Sequence, residues 1–150
     1  MTKSEIVQII TGFIGSFGFA ILFNIRGKKL IMAALGGFLS WMLFVLFGYL
    51  SIESEPVRYF IVAATVSLYA EIMARIFRTP TTTFIITSLI PLIPGGSLYY
   101  TMAYALDSNL ERFLQKGLYT LQLALALALG ILVVGTAMQI IMKFWPSQKH

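Results

Sequence analysis

Cysteine is absent from this chain of 150 residues, histidine occurs once, and charged residues make up only 11% of it. Each shortage excludes something. Without cysteine there is no disulfide scaffold and no thiolate-ligated metal. A lone terminal His150 leaves no imidazole set for zinc or haem. A soluble domain is about 25% charged, so the scarcity of charge argues against disorder, a coiled coil and an ordinary cytosolic enzyme. What the chain has instead is apolar mass, 58% of it. That composition predicts an all-α integral membrane protein. A spanning helix takes about 20 apolar residues, so five would use about two-thirds of the chain and leave no room for a soluble domain. The function then belongs to a single multi-pass domain over residues 1–150, set in a lipid bilayer, or to something it binds.

The net charge of +5 does not indicate nucleic acid. The basic residues sit singly or in pairs at the ends of apolar runs, which is topology rather than a clustered phosphate-binding face. Five runs are predicted as spans: roughly 6–23, 30–50, 57–77, 82–106 and 117–142. The alternation of Leu with a partner that is mostly Ala over Leu121–Leu129 has a strand-like period, but Leu and Ala are strong helix formers and the run continues for a membrane width. A barrel is excluded because the other runs lack alternation. Lys3 before the first run resembles a signal-peptide start, but no small-x-small cleavage pattern follows, so the run reads as a retained helix.

Seven of the eleven Lys and Arg fall on one side of such a five-span chain: Arg26, Lys28, Lys29, Arg75, Arg78, Lys143 and Lys149. The positive-inside rule makes that side cytoplasmic and places the N-terminus outside. In the outer loop, Ser108-Asn109-Leu110-Glu111 has the form of a capping box, and an interfacial turn is expected there before the fifth span.

The strongest local feature is Pro91-Leu92-Ile93-Pro94-Gly95-Gly96, inside the fourth span. Each proline removes a backbone donor and frees a carbonyl one turn earlier, those of Thr87 and Ile90. Pro91 lies about 13 Å from the inner end of its run at 1.5 Å per residue, close to the midplane. Non-helical backbone at that depth survives only when buried in protein or lining a wet cavity. Transporters use such breaks to aim carbonyls and half-helix N-termini at ions and anionic substrates. Ser97, Tyr99 and Tyr100 follow with hydroxyls. A structural kink filled by neighbouring helices is the alternative.

A polar stripe on the third span, Ser67, Glu71, Arg75 and Arg78, shares one helical face. The arginines can snorkel to the boundary. Glu71 is the one charge clearly within a span, so it is either paired with Arg75 at i+4 or a titrating, substrate-facing group. Thr79 and Pro80 read as the N-cap and first turn of the fourth span. Glycines at Gly12, Gly15, Gly18, Gly36, Gly37, Gly130 and Gly135 mark close-packing faces and leave a homo-oligomer open. No catalytic constellation, metal site or cofactor motif is present.

Two segments carry a family resemblance. Gly18-Phe19-Ala20-Ile21-Leu22-Phe23-Asn24 is similar to the first signature of the threonine/serine exporter family. Arg75 through Pro80, followed by Ile90-Pro91-Leu92-Ile93-Pro94-Gly95 and a nearby Tyr, is similar to the second. The chain resembles the small C-terminal module of that family over essentially its whole length. The resemblance implies secondary export of a small-molecule substrate from a bacterial cytoplasm, with threonine and serine as namesakes and succinate associated with some split members. Fused members carry a larger N-terminal half, so it also implies a larger membrane subunit as partner. The expectation is a two-component, proton-driven exporter, in which Pro91, Pro94, Gly95 and Gly96 shape the path, Glu71 and Arg75 face it, and Asn24 caps or coordinates at the inner end of the first span. Its rivals are a non-transporting assembly subunit and a self-sufficient homo-oligomeric channel.

Overall fold

The computed structural model describes residues 2–50 and 52–144; Lys149 and His150, both used above, lie outside the described residues. Six α-helices run in order: α1 (Lys3–Leu22), α2 (Lys28–Tyr49), α3 (Glu55–Ile76), α4 (Thr82–Leu89), α5 (Gly95–Leu106) and α6 (Leu110–Phe144). A 3-10 turn, Ile90–Leu92, joins α4 to α5. There is no strand among the described residues. Helices α1, α2, α3 and α6 are each long and apolar enough to cross a membrane. The α4–α5 pair is bent by 59° and makes a fifth crossing if it counts as one span.

Side-chain contacts fix how the helices run. Tyr49 donates a hydrogen bond to Glu5 at 2.6 Å, and Gly37 abuts Ser16, so α1 and α2 are antiparallel. Tyr119 donates to Glu55 and Arg75 reaches Met142, so α3 and α6 run parallel. Ser88 lies on Gly36, Pro91 beside Gly12, and Thr101 meets Thr120 at 3.2 Å. The α4–α5 pair therefore starts at the end holding Arg75 and finishes at the end holding Glu5 and Arg58. That makes it one traverse and not a re-entrant loop.

Three helices end in the same way. Asn24, Arg78 and Ser108 all have positive φ, at 58°, 48° and 53°. The N–H after each reaches back five residues: Ile25 to Ala20, Thr79 to Ala74, Asn109 to Tyr104. This is the left-handed C-terminal motif that satisfies the last carbonyls of a helix. It corrects two expectations. Thr79 does not cap α4 with its side chain. Its backbone closes α3 and its buried hydroxyl has no partner, while α4 is entered through Thr81. Ser108 is not the first residue of a capping box. Its left-handed backbone ends α5, and the Asn109 side chain accepts the Arg112 N–H at 3.2 Å instead. The helical turn expected to lead into the fifth span forms the start of α6, because Leu110–Phe144 is one unbroken helix of 35 residues. Nothing between Leu110 and Leu118 except Gly117 opposes helix, and Leu, Glu, Arg, Gln and Lys all favour it.

Packing relies on small residues. Ala20, Ala33, Ala70 and Ala74 surround Phe84 near the Arg75 end. Tyr59, Val62, Val66, Leu92, Leu123 and Ala126 form a second cluster nearer Glu5. Helix α6 seats on α3 at Gly130, where a Cβ would stand 2.7 Å from the Phe60 carbonyl oxygen. Close backbone approach of this kind replaces the hydrophobic effect as the source of contact between helices in lipid.

Candidate functional site

The helix break is the natural starting point. Pro91 and Pro94 each lack the N–H that α-helix requires, and the chain answers with a 3-10 turn. Ile93 donates to the Ile90 carbonyl at 3.2 Å, so the carbonyl freed by Pro94 is recaptured. Ile93 itself is extended, at φ −62° and ψ 122°, and Gly95 then opens α5. Among the described residues, the N–H groups of Gly96 and Ser97 have no acceptor. Ile93, Gly95 and Gly96 are exposed on the surface of the chain, and a Cβ on either glycine would meet nothing within 4 Å.

A groove between α1 and α2 ends on this break. Its deeper part, a cavity of about 260 Å³, is lined by Gln8, Thr11, Gly12, Gly15, Trp41, Ile90 and Pro91. A second cavity of about 350 Å³ continues it toward the Glu5 end, sharing Gln8 and Trp41 and adding Glu5, Phe44, Val45, Gly48, Tyr49 and Arg58. The polar groups along it are largely fixed. Glu5 and Thr2 form a reciprocal capping box at the start of α1, and the Glu5 carboxylate also accepts the Tyr49 hydroxyl. The Arg58 guanidinium lies 4.8 Å from the centre of the Phe44 ring. Trp41 Nε1 and Arg58 Nε are buried without an acceptor.

Beyond Pro91 the bundle closes. Ser88 packs so tightly on Gly36, and Ser16 on Gly37, that a Cβ at either glycine would fall 1.8 Å from the serine oxygen. The Ser16, Ser67 and Ser88 hydroxyls are buried with no hydrogen-bond partner. The groove thus runs from the Glu5 end to the middle of the molecule, and next to its floor α1, α2 and α4 pack tightly through Ser16, Ser88 and the two glycines.

A family model described as threonine/serine exporter, ThrE, matches residues 8–137. The chain belongs to that family. Its members are transporters, so this is a multi-pass membrane protein that handles a small-molecule substrate across a bilayer. No curated protein and no solved structure matches the chain.

Against this exporter frame, the residues singled out from sequence fall into separate places. Pro91 lines the groove. Gly95 and Gly96 form the exposed side of the break, with Pro94 half-buried beside them. Ser97 is half-buried and its carbonyl accepts the Thr101 hydroxyl. Tyr99 points away, 69% exposed, against the edge of Tyr100. Ser67 is buried in the bundle. Glu71 and Arg75 form the i,i+4 ion pair at 3.0 Å, near Met142 of α6 and outside the groove. Asn24 ends α1 through its backbone, while its side chain accepts from Arg26 Nε at 2.9 Å. Sequence reasoning did not find Gln8, Thr11, Trp41 and Arg58. A signal was present for two of them: Gln8 is the one amide side chain within the first span, and Arg58 stands inside a helix rather than in the loop before it.

Proposed function

We propose that the chain is the small membrane subunit of a secondary exporter moving small hydrophilic metabolites, threonine- or serine-like amino acids or a dicarboxylate such as succinate, out of a bacterial cytoplasm. The observation that carries this is the groove ending on a broken helix, in a chain of the exporter family. At the break its wall is largely apolar, with Gln8 and Thr11 on it; toward the Glu5 end Glu5, Tyr49 and Arg58 make it polar enough for a hydrophilic solute. Breaks of this kind lie at mid-depth in transporters, where substrate binds.

The same break supports a partner. Backbone N–H groups without acceptors cannot face lipid tails without a cost of several kcal/mol each, and those of Gly96 and Ser97 stand at an exposed surface. A second, larger membrane subunit covering that face satisfies them and completes the wall of the path. The proton is our choice of coupling ion because Glu71 is the one carboxylate set well inside a span. The N-terminus is assigned to the outside by the distribution of Lys and Arg.

The test is metabolite efflux from cells lacking both chains and then regaining one or both. Export that returns only with the pair supports the reading. Flux from this chain alone, reconstituted in vesicles, would replace it with a homo-oligomeric channel. Undiminished export by Pro94→Ala in an assembled complex would reduce the chain to a scaffold.

A further inference from the structure

The mouth of the groove holds a cation with no counter-ion. Arg58 forms no salt bridge among the described residues; the ion pair found there is Arg75 with Glu71. The nearest acidic groups are engaged elsewhere. Glu5 accepts from the Thr2 N–H and the Tyr49 hydroxyl, and Glu55 accepts from Tyr119. The guanidinium is nonetheless held in place. It lies on the face of Phe44 and across Gly48, where a Cβ would come within 2.8 Å of Nη1.

Arg58 and Trp41 both line this one cavity, and their Nε and Nε1 atoms lie buried behind its surface without an acceptor. The guanidinium carries donors and no acceptor, so a ligand that meets its outer nitrogens must bring acceptor oxygens. Arginine presents its donors as a planar fork that matches a carboxylate. The cavity, about 350 Å³, has the volume of a small metabolite site. We propose that Arg58, with Trp41 and Gln8 beside it, is the seat for the carboxylate of the transported solute at the Glu5 end of the groove. This rests on the exporter reading and assigns it a recognition residue.

The experiment uses the full chain in nanodiscs of phosphatidylcholine, with Trp145→Phe so that Trp41 reports alone. Threonine, threoninamide and succinate are titrated and tryptophan fluorescence is followed. Threonine or succinate should give a saturable change, and threoninamide, which lacks the carboxylate, should not. Arg58→Gln should weaken the response about tenfold, the range for losing a charge-assisted bond, and Arg58→Lys should recover part of it. Gly48→Ala keeps the charge but displaces the guanidinium, and should also weaken binding. Equal response to threoninamide overturns the assignment, as does an unchanged affinity in both Arg58→Gln and Gly48→Ala. So does a response only to added phosphatidylglycerol, which would make Arg58 a lipid-phosphate contact. These failures leave export by the complete pair intact; loss of the exporter reading would instead show as no efflux from cells carrying both native chains.

Discussion

Near Ser16, α1 lies flush on α2 at Gly37; near Gln8 a groove runs along the two helices. The helices and the crossing are the same, and the side chains between them decide the difference. In the closed half each glycine of α2 or its neighbour receives a serine: Gly37 takes Ser16 and Gly36 takes Ser88. In the open half, Trp41 occupies the seam. Gly12 faces its Cβ at 3.4 Å, and Gly15, one turn on, meets nothing within 4 Å. A bulky ring wedges one half of the interface open, and the smallest residues bring the other half together.

This contrast can be broken at several points. The largest effect is expected at the boundary between the halves. Pro94→Ala restores a helical donor and straightens the break, and efflux by the assembled pair should fall by roughly one to two orders of magnitude as the groove loses its floor. Next comes the closed half. Gly37→Ala overpacks Ser16 and should cost about 1–3 kcal/mol, read as a lower thermal midpoint in detergent. Adding Ser16→Gly should restore most of the loss, whereas independent losses in the double variant would show that the two residues do not share one contact. In the open half the same change should have the opposite sign. Gly15→Ala fills empty space on a helix and should stabilise by about 0.5–1 kcal/mol through helix propensity. A melting point lowered as much as by Gly37→Ala would erase the distinction between the halves.

The smallest stability effect is expected for Glu71→Gln. Arg75 is 38% exposed and its pairing with Glu71 is an i,i+4 contact, worth about 0.3–0.5 kcal/mol. Its readout is therefore the pH dependence of efflux. Efflux that no longer responds to an imposed proton gradient assigns Glu71 to coupling, and an unchanged response assigns it to the ion pair alone.

Much of the fold was legible in the sequence because lipid imposes simple rules. Apolar runs of membrane length give the spans, and Pro91 and Pro94 inside such a run can only break it. What escaped was decided by neighbours. The serines of the seal look like any small polar residues until Gly36 and Gly37 are placed opposite them. Nothing in the sequence pairs Arg58 with Trp41; only their arrival in the same cavity gives them a joint meaning. The helix ends at Arg78 and Ser108 escaped for another reason. Glycine is the usual residue for the left-handed position, and neither residue signals it.

The length of α6 has its own consequence. Thirty-five residues extend about 52 Å at 1.5 Å per residue. Even a steep tilt of about 40° leaves some 40 Å along the membrane normal, against a hydrocarbon core of about 30 Å. Tilt cannot hide such a helix. Its far end lies against Arg75 through Met142, so the surplus falls at the other end, where Glu111, Arg112 and Lys116 sit. Helix α5 runs alongside that end, held by the bond between Thr101 and Thr120. The charged first turns of α6 therefore belong to the headgroup layer, which brings the bilayer to about 40–45 Å in all.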